Sequence, residues 1–93
     1  MQFIAYCLDN PGMAEHRRTH FATHKARLLA SPLKALIAGP LTTADGATRG
    51  SFFLYEADDI ETVRRQVLED PFNAAGIWQT VDIFRFENKV GSP

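Results

Sequence analysis

The sequence predicts an α+β fold in which two helices pack on one face of a four-stranded antiparallel sheet. Four short runs are almost wholly apolar and contain many aromatic and β-branched residues, which is typical of strands. Two longer runs instead repeat their apolar residues at helical spacing. Turn-forming residues, including glycine and proline, separate these runs, so each is expected to form one element.

The first half of the chain is predicted to contain a strand, a helix and a second strand. Residues 1–8 are mostly apolar and lead into the turn sequence Asp-Asn-Pro-Gly, which indicates a buried strand. Residues 13–31 predict a helix that ends before Pro32 and has one apolar side, formed by Ala14, Phe21, Leu28 and Leu29. Residues 33–41 predict the second strand, and the polar residues 42–50 predict an exposed loop.

The second half repeats this order. Residues 51–57 contain four consecutive large apolar side chains and predict the third strand. A helix is expected to follow as far as residue 68, beginning at a capping-box pattern made by Asp58 and Glu61. Residues 77–87 predict the last strand, so the complete order is βαββαβ.

A chain of this order folds most simply as a ferredoxin-like split βαβ, with both helices on one sheet face and the other face bare. A bare face should be polar, but neighbouring residues place large apolar groups on both faces. The pairs are Phe3 with Ile4, Phe52 with Phe53, and Ile83 with Phe84. We therefore expect a homodimer through the open sheet face. Whether Phe53 or Phe84 faces the partner depends on the register.

Length and composition narrow the function classes. The 93 residues predict a single domain, 1–93, with a loose tail at 89–93. The 10 basic and 11 acidic residues are scattered, which argues against nucleic acid or membrane partners. Cys7 is the only cysteine, and we find neither a bilayer-length apolar run nor a secretory signal. The expected location is therefore the cytoplasm.

Three histidines lie four residues apart on the first predicted helix, at His16, His20 and His24. His24 lies at the edge of the apolar side, where an imidazole is half sheltered and its pKa can be tuned. It is therefore the candidate for a catalytic or ligand-positioning role, and a structural histidine is the alternative. The spacing of His20 and His24 would suit a metal, but no third ligand is nearby, so we predict no metal.

Asp70 precedes Pro71, and this position disfavours a helical conformation, so a turn is expected over residues 71–76. Ending a helix is by itself a sufficient explanation for such an aspartate. However, the two helices lie side by side in a split βαβ, so Asp70 can approach the middle of the first helix. A hydrogen bond from His24 to this carboxylate would fix the tautomer and leave the other ring nitrogen for acid or base catalysis.

Other candidates for the site are less specific. Arg17 and Arg27 would favour a carboxylate or phenolate ligand, although a solvated helix face explains both arginines more simply. Gly39, Pro40 and Ser51 lie at strand ends, where they would line a pocket or form turns. Cys7 is expected to be inert packing. We find no phosphate-binding glycine loop, nucleophile elbow or cysteine-rich motif, so no cofactor is predicted.

The order of several short motifs resembles the YCII-related proteins over nearly the whole chain. These motifs are His24-Lys25-Ala26-Arg27-Leu28, Ala38-Gly39-Pro40, Gly50-Ser51, Asp70-Pro71-Phe72 and Ala75-Gly76. The resemblance implies a dimeric α+β barrel with His24 and Asp70 as the active-site pair and Phe72 in the pocket. The extra histidines at positions 16 and 20 and a shortened loop between residues 41 and 51 depart from the family pattern.

The resemblance extends to a superfamily of isomerases, lyases and oxygenases that act on aromatic-derived compounds. We therefore expect a small cofactor-free enzyme that uses His24 and Asp70 for general acid–base chemistry on a small polar aromatic or enol-like compound. The reaction would be of lyase or isomerase type, and a dehalogenating elimination is included. The alternative is a non-catalytic ligand-binding or scaffold domain with the same dimeric fold.

Overall fold

A computed structural model describes residues 1–93 and has the predicted order of strands and main helices, with one short helix added. The elements are β1 (Gln2–Asp9), α1 (Ala14–Ala30), β2 (Ala35–Thr42), β3 (Thr48–Glu56), α2 (Ile60–Leu68), α3 (Pro71–Ala74) and β4 (Trp78–Phe86). The segment predicted as a turn at 71–76 thus contains the single helical turn α3. The loop between β2 and β3 is shorter than expected because both strands extend into it.

The four strands form one antiparallel sheet in the order β2-β3-β1-β4, which confirms the predicted fold class. The central pair, β1 and β3, approaches very closely at Gly50. A Cβ atom added there would overlap the carbonyl oxygen of Cys7, so only glycine lets the two backbones pair at this point. This close pairing also fixes the position of Ser51, the next residue of β3.

The helix-facing side of the sheet forms the core with α2 and α3. The buried apolar cluster consists of Phe3, Ala5, Cys7, Phe53, Tyr55, Val63, Val67, Phe72, Ile77 and Trp78. The N-cap of α2 is Asp59, and the prediction of Asp58 was wrong by one residue. The extended backbone of Asp59 lets its carboxylate accept a hydrogen bond from the backbone N–H of Thr62, at 2.8 Å.

Helix α1 packs differently from the prediction. Its only buried residue is His24, whereas Phe21 and Leu29, assigned to its apolar side, are exposed by 54% and 67%. The reason is that α1 contacts α3 but leaves a cavity between itself and β2 and β3. Phe21 lines this cavity and therefore remains accessible to solvent, whereas Leu29 lies outside the cavity lining.

The opposite face of the sheet is open and apolar. Phe53 faces the helices and is 2% exposed, whereas Phe84 lies on the open face and is 57% exposed. Alternation along the paired strands places further apolar side chains on that face, including Ile4, Tyr6, Phe52 and Leu54. None of the helices combines the length and apolar character needed to cross a bilayer.

Candidate active site

The sequence Asp70-Pro71-Phe72 builds one wall of the site. Asp70 has an extended backbone (φ −64°, ψ 138°), as expected before proline, and Pro71 begins α3. Oδ1 of Asp70 accepts a hydrogen bond from the backbone N–H of Phe72, at 2.8 Å, and thereby caps the short helix. Asp70 is also buried, with 2% of the residue exposed. The hydrogen bond within its own turn therefore fixes the orientation of a carboxylate that is shielded from water.

His24 of α1 contacts this carboxylate. Its Nδ1 lies 2.8 Å from both Oδ1 and Oδ2 of Asp70, so the hydrogen bond expected from the sequence is present. Since an ionised carboxylate only accepts hydrogen bonds, Nδ1 is the protonated nitrogen when the ring is neutral. Nε2 then carries the lone pair, and it makes no hydrogen bond within the chain. His24 is 8% exposed, more buried than the half-sheltered position predicted.

Aromatic rings surround the imidazole. The ring of Phe72 stacks on it, with centroids 4.0 Å apart and planes 3° from parallel. Phe53 presents an edge at 6.2 Å. Trp78, the only tryptophan, lies edge-on to both phenylalanines at about 6 Å. The histidine is therefore held by one hydrogen bond and by packing against apolar rings.

Arg17 is a site residue that the sequence reasoning assigned to a solvated helix face. Its Nε and Nη2 donate to the two carboxylate oxygens of Asp9, at 2.6 and 2.8 Å, and Nη2 also donates to Ser51 Oγ at 3.0 Å. The side chain is 14% exposed, and its guanidinium carbon lies 5.0 Å from the centroid of the Phe72 ring. Arg17 lies seven positions before His24, and this spacing of two helical turns was the available signal that both lie on one side of α1.

A cavity of about 470 Å³ lies between α1 and the sheet and opens to solvent. Its lining combines aromatic and aliphatic side chains with cationic ones and contains no carboxylate. The lining residues are Arg17, Arg18, Phe21, His24, Lys25, Leu28, Ala38, Gly39, Pro40, Thr48, Ser51, Phe53 and Phe72. The volume lies within the range of ordinary small-ligand pockets.

The structure brings most of the predicted site residues to this cavity. Gly39, Pro40, Ser51 and Phe72 line it together with His24, and Asp70 lies directly behind the imidazole. Arg27 does not line it, which corrects the sequence-based placement. The Arg27 guanidinium donates to the carbonyl oxygen of Gln66, at 2.6 Å, because the turn of α1 directs it towards α2.

Two further ionisable groups are buried near the site. Burial raises the pKa of the Cys7 thiol from 9.0 to about 12, and the nearby charge of Asp70 adds to this effect. Burial likewise raises the pKa of Tyr55 from 10.0 to about 12, again with a contribution from Asp70. Both groups are neutral at ordinary pH, and neither lines the cavity. Cys7 was expected to be an inert, packed side chain, and its buried environment agrees with that expectation.

Comparisons with known proteins identify the family and one similar enzyme. The model of the YCII-related domain matches residues 1–87. The chain is similar to a 5-chloro-2-hydroxyhydroquinone dehydrochlorinase (TftG) from Burkholderia phenoliruptrix, solved in complex with 2,5-dihydroxybenzoquinone. The two are 32% identical, with a TM-score of 0.84 and 96% of each chain covered. No curated protein sequence matches at a significant level.

Two more distant structures share the fold alone. Rv0793 from Mycobacterium tuberculosis is 12% identical with a TM-score of 0.56, and the alignment covers 99% of this chain and 97% of that one. At3g17210 from Arabidopsis thaliana is 15% identical with a TM-score of 0.51, covering 99% and 98%. Identities this low support the common architecture and carry no information on activity.

Proposed function

This chain belongs to the YCII-related family, and we propose that it is a lyase that eliminates a leaving group from a small hydroxylated aromatic compound. The observation that carries the proposal is the His24–Asp70 pair at the wall of an apolar cavity with cationic side chains. A histidine fixed in this way is suited to proton transfer. The similarity to a dehydrochlorinase of a chlorinated hydroxyhydroquinone supports this reaction class.

The side chains that line the cavity favour an aromatic substrate that carries negative charge. Phe21, Phe53 and Phe72 supply flat apolar walls. The charged side chains in the lining are Arg17, Arg18 and Lys25, and no acidic side chain lines the cavity itself. Arg17 is paired with Asp9 and Arg18 with Glu15, both outside the lining, and Lys25 makes no ion pair. Such a lining favours a phenolate over a neutral or cationic ring. A halogenated hydroquinone or hydroxyhydroquinone satisfies both the shape and the charge.

The proposed reaction needs only proton transfers by one histidine. Nε2 of His24 accepts the proton of a substrate hydroxyl, and Asp70 stabilises the imidazolium that forms. The imidazolium then gives this proton to the ring carbon that bears the halogen, which produces a keto tautomer. The imidazole, neutral again, accepts the proton of the second hydroxyl and later releases it to solvent. The O–H electron pair forms the second carbonyl, and the C–halogen electron pair leaves with the halide. The net change is loss of one proton and one halide, and the product is a quinone, so no external oxidant is required.

We also propose that the working form is a homodimer formed through the open sheet face. The exposed side chains there include Tyr6, Ile37, Phe84 and Phe86, each at least 39% exposed. Exposure of such an apolar face to water is unfavourable. Two copies of the face can cover each other in a twofold arrangement. The catalytic cavity lies on the other side of the sheet, so dimerisation would leave it accessible.

His24→Gln tests the proposed activity. The glutamine amide can still donate to Asp70, but it has no nitrogen that titrates near neutral pH. Chloride release and quinone absorbance from chlorinated hydroquinones should fall by about 100-fold or more. His16→Gln, an exposed position on the same helix, is the matched control and should keep full activity.

Ligand binding separates this proposal from the non-catalytic alternative. Trp78 lies 6.1 Å from Phe72, so its fluorescence should report occupancy of the cavity. If ligands bind to the unmodified protein but none is turned over, the ligand-binding domain is the correct reading. Equal turnover by His24→Gln and the unmodified protein would exclude His24 as the acid–base group.

A further inference from the structure

We propose that Arg17 and Ser51 form an oxyanion-binding subsite that holds the substrate oxygen as its proton leaves. This inference rests on the proposed function, since the oxygen concerned is the one that gives its proton to His24. It adds a specific requirement, that the substrate presents an acidic hydroxyl to these two side chains. Neither residue is part of the His24–Asp70 pair, so the two ideas can fail separately.

The guanidinium of Arg17 is fixed in place and incompletely used. Its bidentate pair with Asp9 occupies Nε and Nη2, and the additional bond to Ser51 also comes from Nη2. Nη1 makes no hydrogen bond within the chain, although arginine carries five N–H donors. Arg17 lines the cavity, and its guanidinium therefore has N–H donors left for an anionic ligand that binds there.

Ser51 is the second donor. Its Oγ accepts the hydrogen bond from Arg17, and its own hydroxyl hydrogen has no acceptor within the chain. Ser51 is only 4% exposed, yet it lines the same cavity. Because Ser51 lines the cavity and its hydroxyl can still donate, a ligand oxygen bound there is a suitable acceptor. The positive charge of Arg17 polarises the hydroxyl and strengthens its donation.

A purely structural role for the Asp9–Arg17 pair does not require the additional bond to Ser51. The pair joins the end of β1 to α1, and a bidentate ion pair is sufficient for that purpose. The addition of Ser51 extends it to the cavity lining on β3. Phe72 contacts both halves of the site, with Arg17 at 5.0 Å and His24 at 4.0 Å from its ring. The anion-binding and proton-accepting groups therefore share one aromatic wall.

The chemical consequence is a more acidic bound phenol. When the substrate O–H bond breaks, the electron pair stays on the oxygen and the proton moves to Nε2 of His24. Donors that are already oriented towards the oxygen stabilise this charge without reorganising. The same donors should lower the pKa of any phenol bound in the cavity, including one that cannot react.

The test uses 4-nitrophenol, whose visible absorption reports its phenolate form and which carries no halide to lose. Titration of the bound compound should give a pKa lower by about 1 than that of the free compound. Ser51→Ala should reverse most of this decrease and weaken phenolate binding about 10-fold. Ser31→Ala, a serine outside the cavity that bonds to Gln66, is the matched control and should keep the decrease.

Arg17 needs a compensated variant, since removing it alone leaves the buried Asp9 carboxylate unpaired. The double variant Asp9→Asn/Arg17→Met removes the pair as a unit and should abolish the pKa decrease. A bound phenol with an unshifted pKa, no binding at millimolar concentration, or an unchanged pKa in Ser51→Ala would each overturn the subsite. Turnover lost in His24→Gln with the decrease retained would support the proposed function and the subsite independently.

Discussion

The imidazole of His24 and the phenyl ring of Phe72 lie parallel, 4.0 Å apart, while Asp70, two residues before Phe72, holds Nδ1 at 2.8 Å. A single short segment thus fixes the histidine by both its edge and its face. Pro71 sets the geometry of this segment, because it places Asp70 in an extended conformation and begins the helical turn that carries Phe72. The one-turn helix α3 is therefore the main determinant of the orientation of His24.

Asp70→Asn should lower kcat by about 10- to 100-fold with little change in KM. The amide can still accept a hydrogen bond from Nδ1, but it no longer stabilises the imidazolium by charge. Steady-state kinetics on a chlorinated hydroquinone would measure the effect. Asp58→Asn, an exposed acid before α2, is the control for the loss of one negative charge. An unchanged kcat in Asp70→Asn would show that the carboxylate has no part in catalysis.

Phe72→Leu should separate the orientation of His24 from its chemistry. Leucine keeps much of the apolar volume but cannot stack on the imidazole, so the free energy of unfolding should fall by about 1 kcal/mol. The turnover rate should fall more than ligand affinity, since a mobile imidazole spends less time in the reactive orientation. Denaturant unfolding and kinetics would measure the two effects. A variant with unchanged stability and unchanged rate would contradict the stacking argument.

Alkaline pH should destabilise the fold through Cys7. The pKa of the Cys7 thiol is raised from its ordinary value of 9.0 to about 12 in the folded chain. Between these two values the folded state retains a proton that the unfolded state loses. The stabilisation is complete below pH 9 and is lost as the pH rises towards 12, with a slope approaching about 1.4 kcal/mol per pH unit.

Cys7→Ala should flatten the stability profile between pH 9 and 10, below the ordinary pKa of Tyr55. Tyr55 contributes a second decline above pH 10 by the same mechanism, and this decline should persist in the variant. Urea unfolding at a series of pH values would measure both slopes. An identical slope in the two proteins below pH 10 would show that the thiol is not responsible.

Phe84→Asp should convert the proposed dimer into monomers, because it replaces a large apolar side chain on the open face by a charge. Light scattering at micromolar concentration would measure the mass. Val90→Asp, a change of the same kind at a residue that is 93% exposed in the tail, should leave the dimer intact. A monomeric unmodified protein at this concentration would contradict the proposal.

The sequence by itself determined the order of the elements and the two residues at the centre of the candidate site. The spacing of apolar residues and the positions of turn residues are local properties of the sequence. They were sufficient to predict the order of strands and helices, βαββαβ. The constraint of proline on the preceding residue likewise located Asp70 in an extended conformation before a turn. The side-by-side helices of a split βαβ then connected this aspartate to His24, and the motif resemblance supported the pair and added Phe72. Residues that act through their own backbone or their nearest neighbours were therefore predictable.

Only the tertiary structure decided which side chains face the cavity. Helical spacing placed Phe21 on the packed side of α1, but α1 does not lie flush on the sheet, so Phe21 is exposed. Arg17 looked like a surface residue because its partners, Asp9 and Ser51, lie on different strands. The direction of Arg27 depended on where α2 packs. Long-range contacts and the gap between two elements leave no periodic signal in the sequence, and they exist only once the layers are assembled.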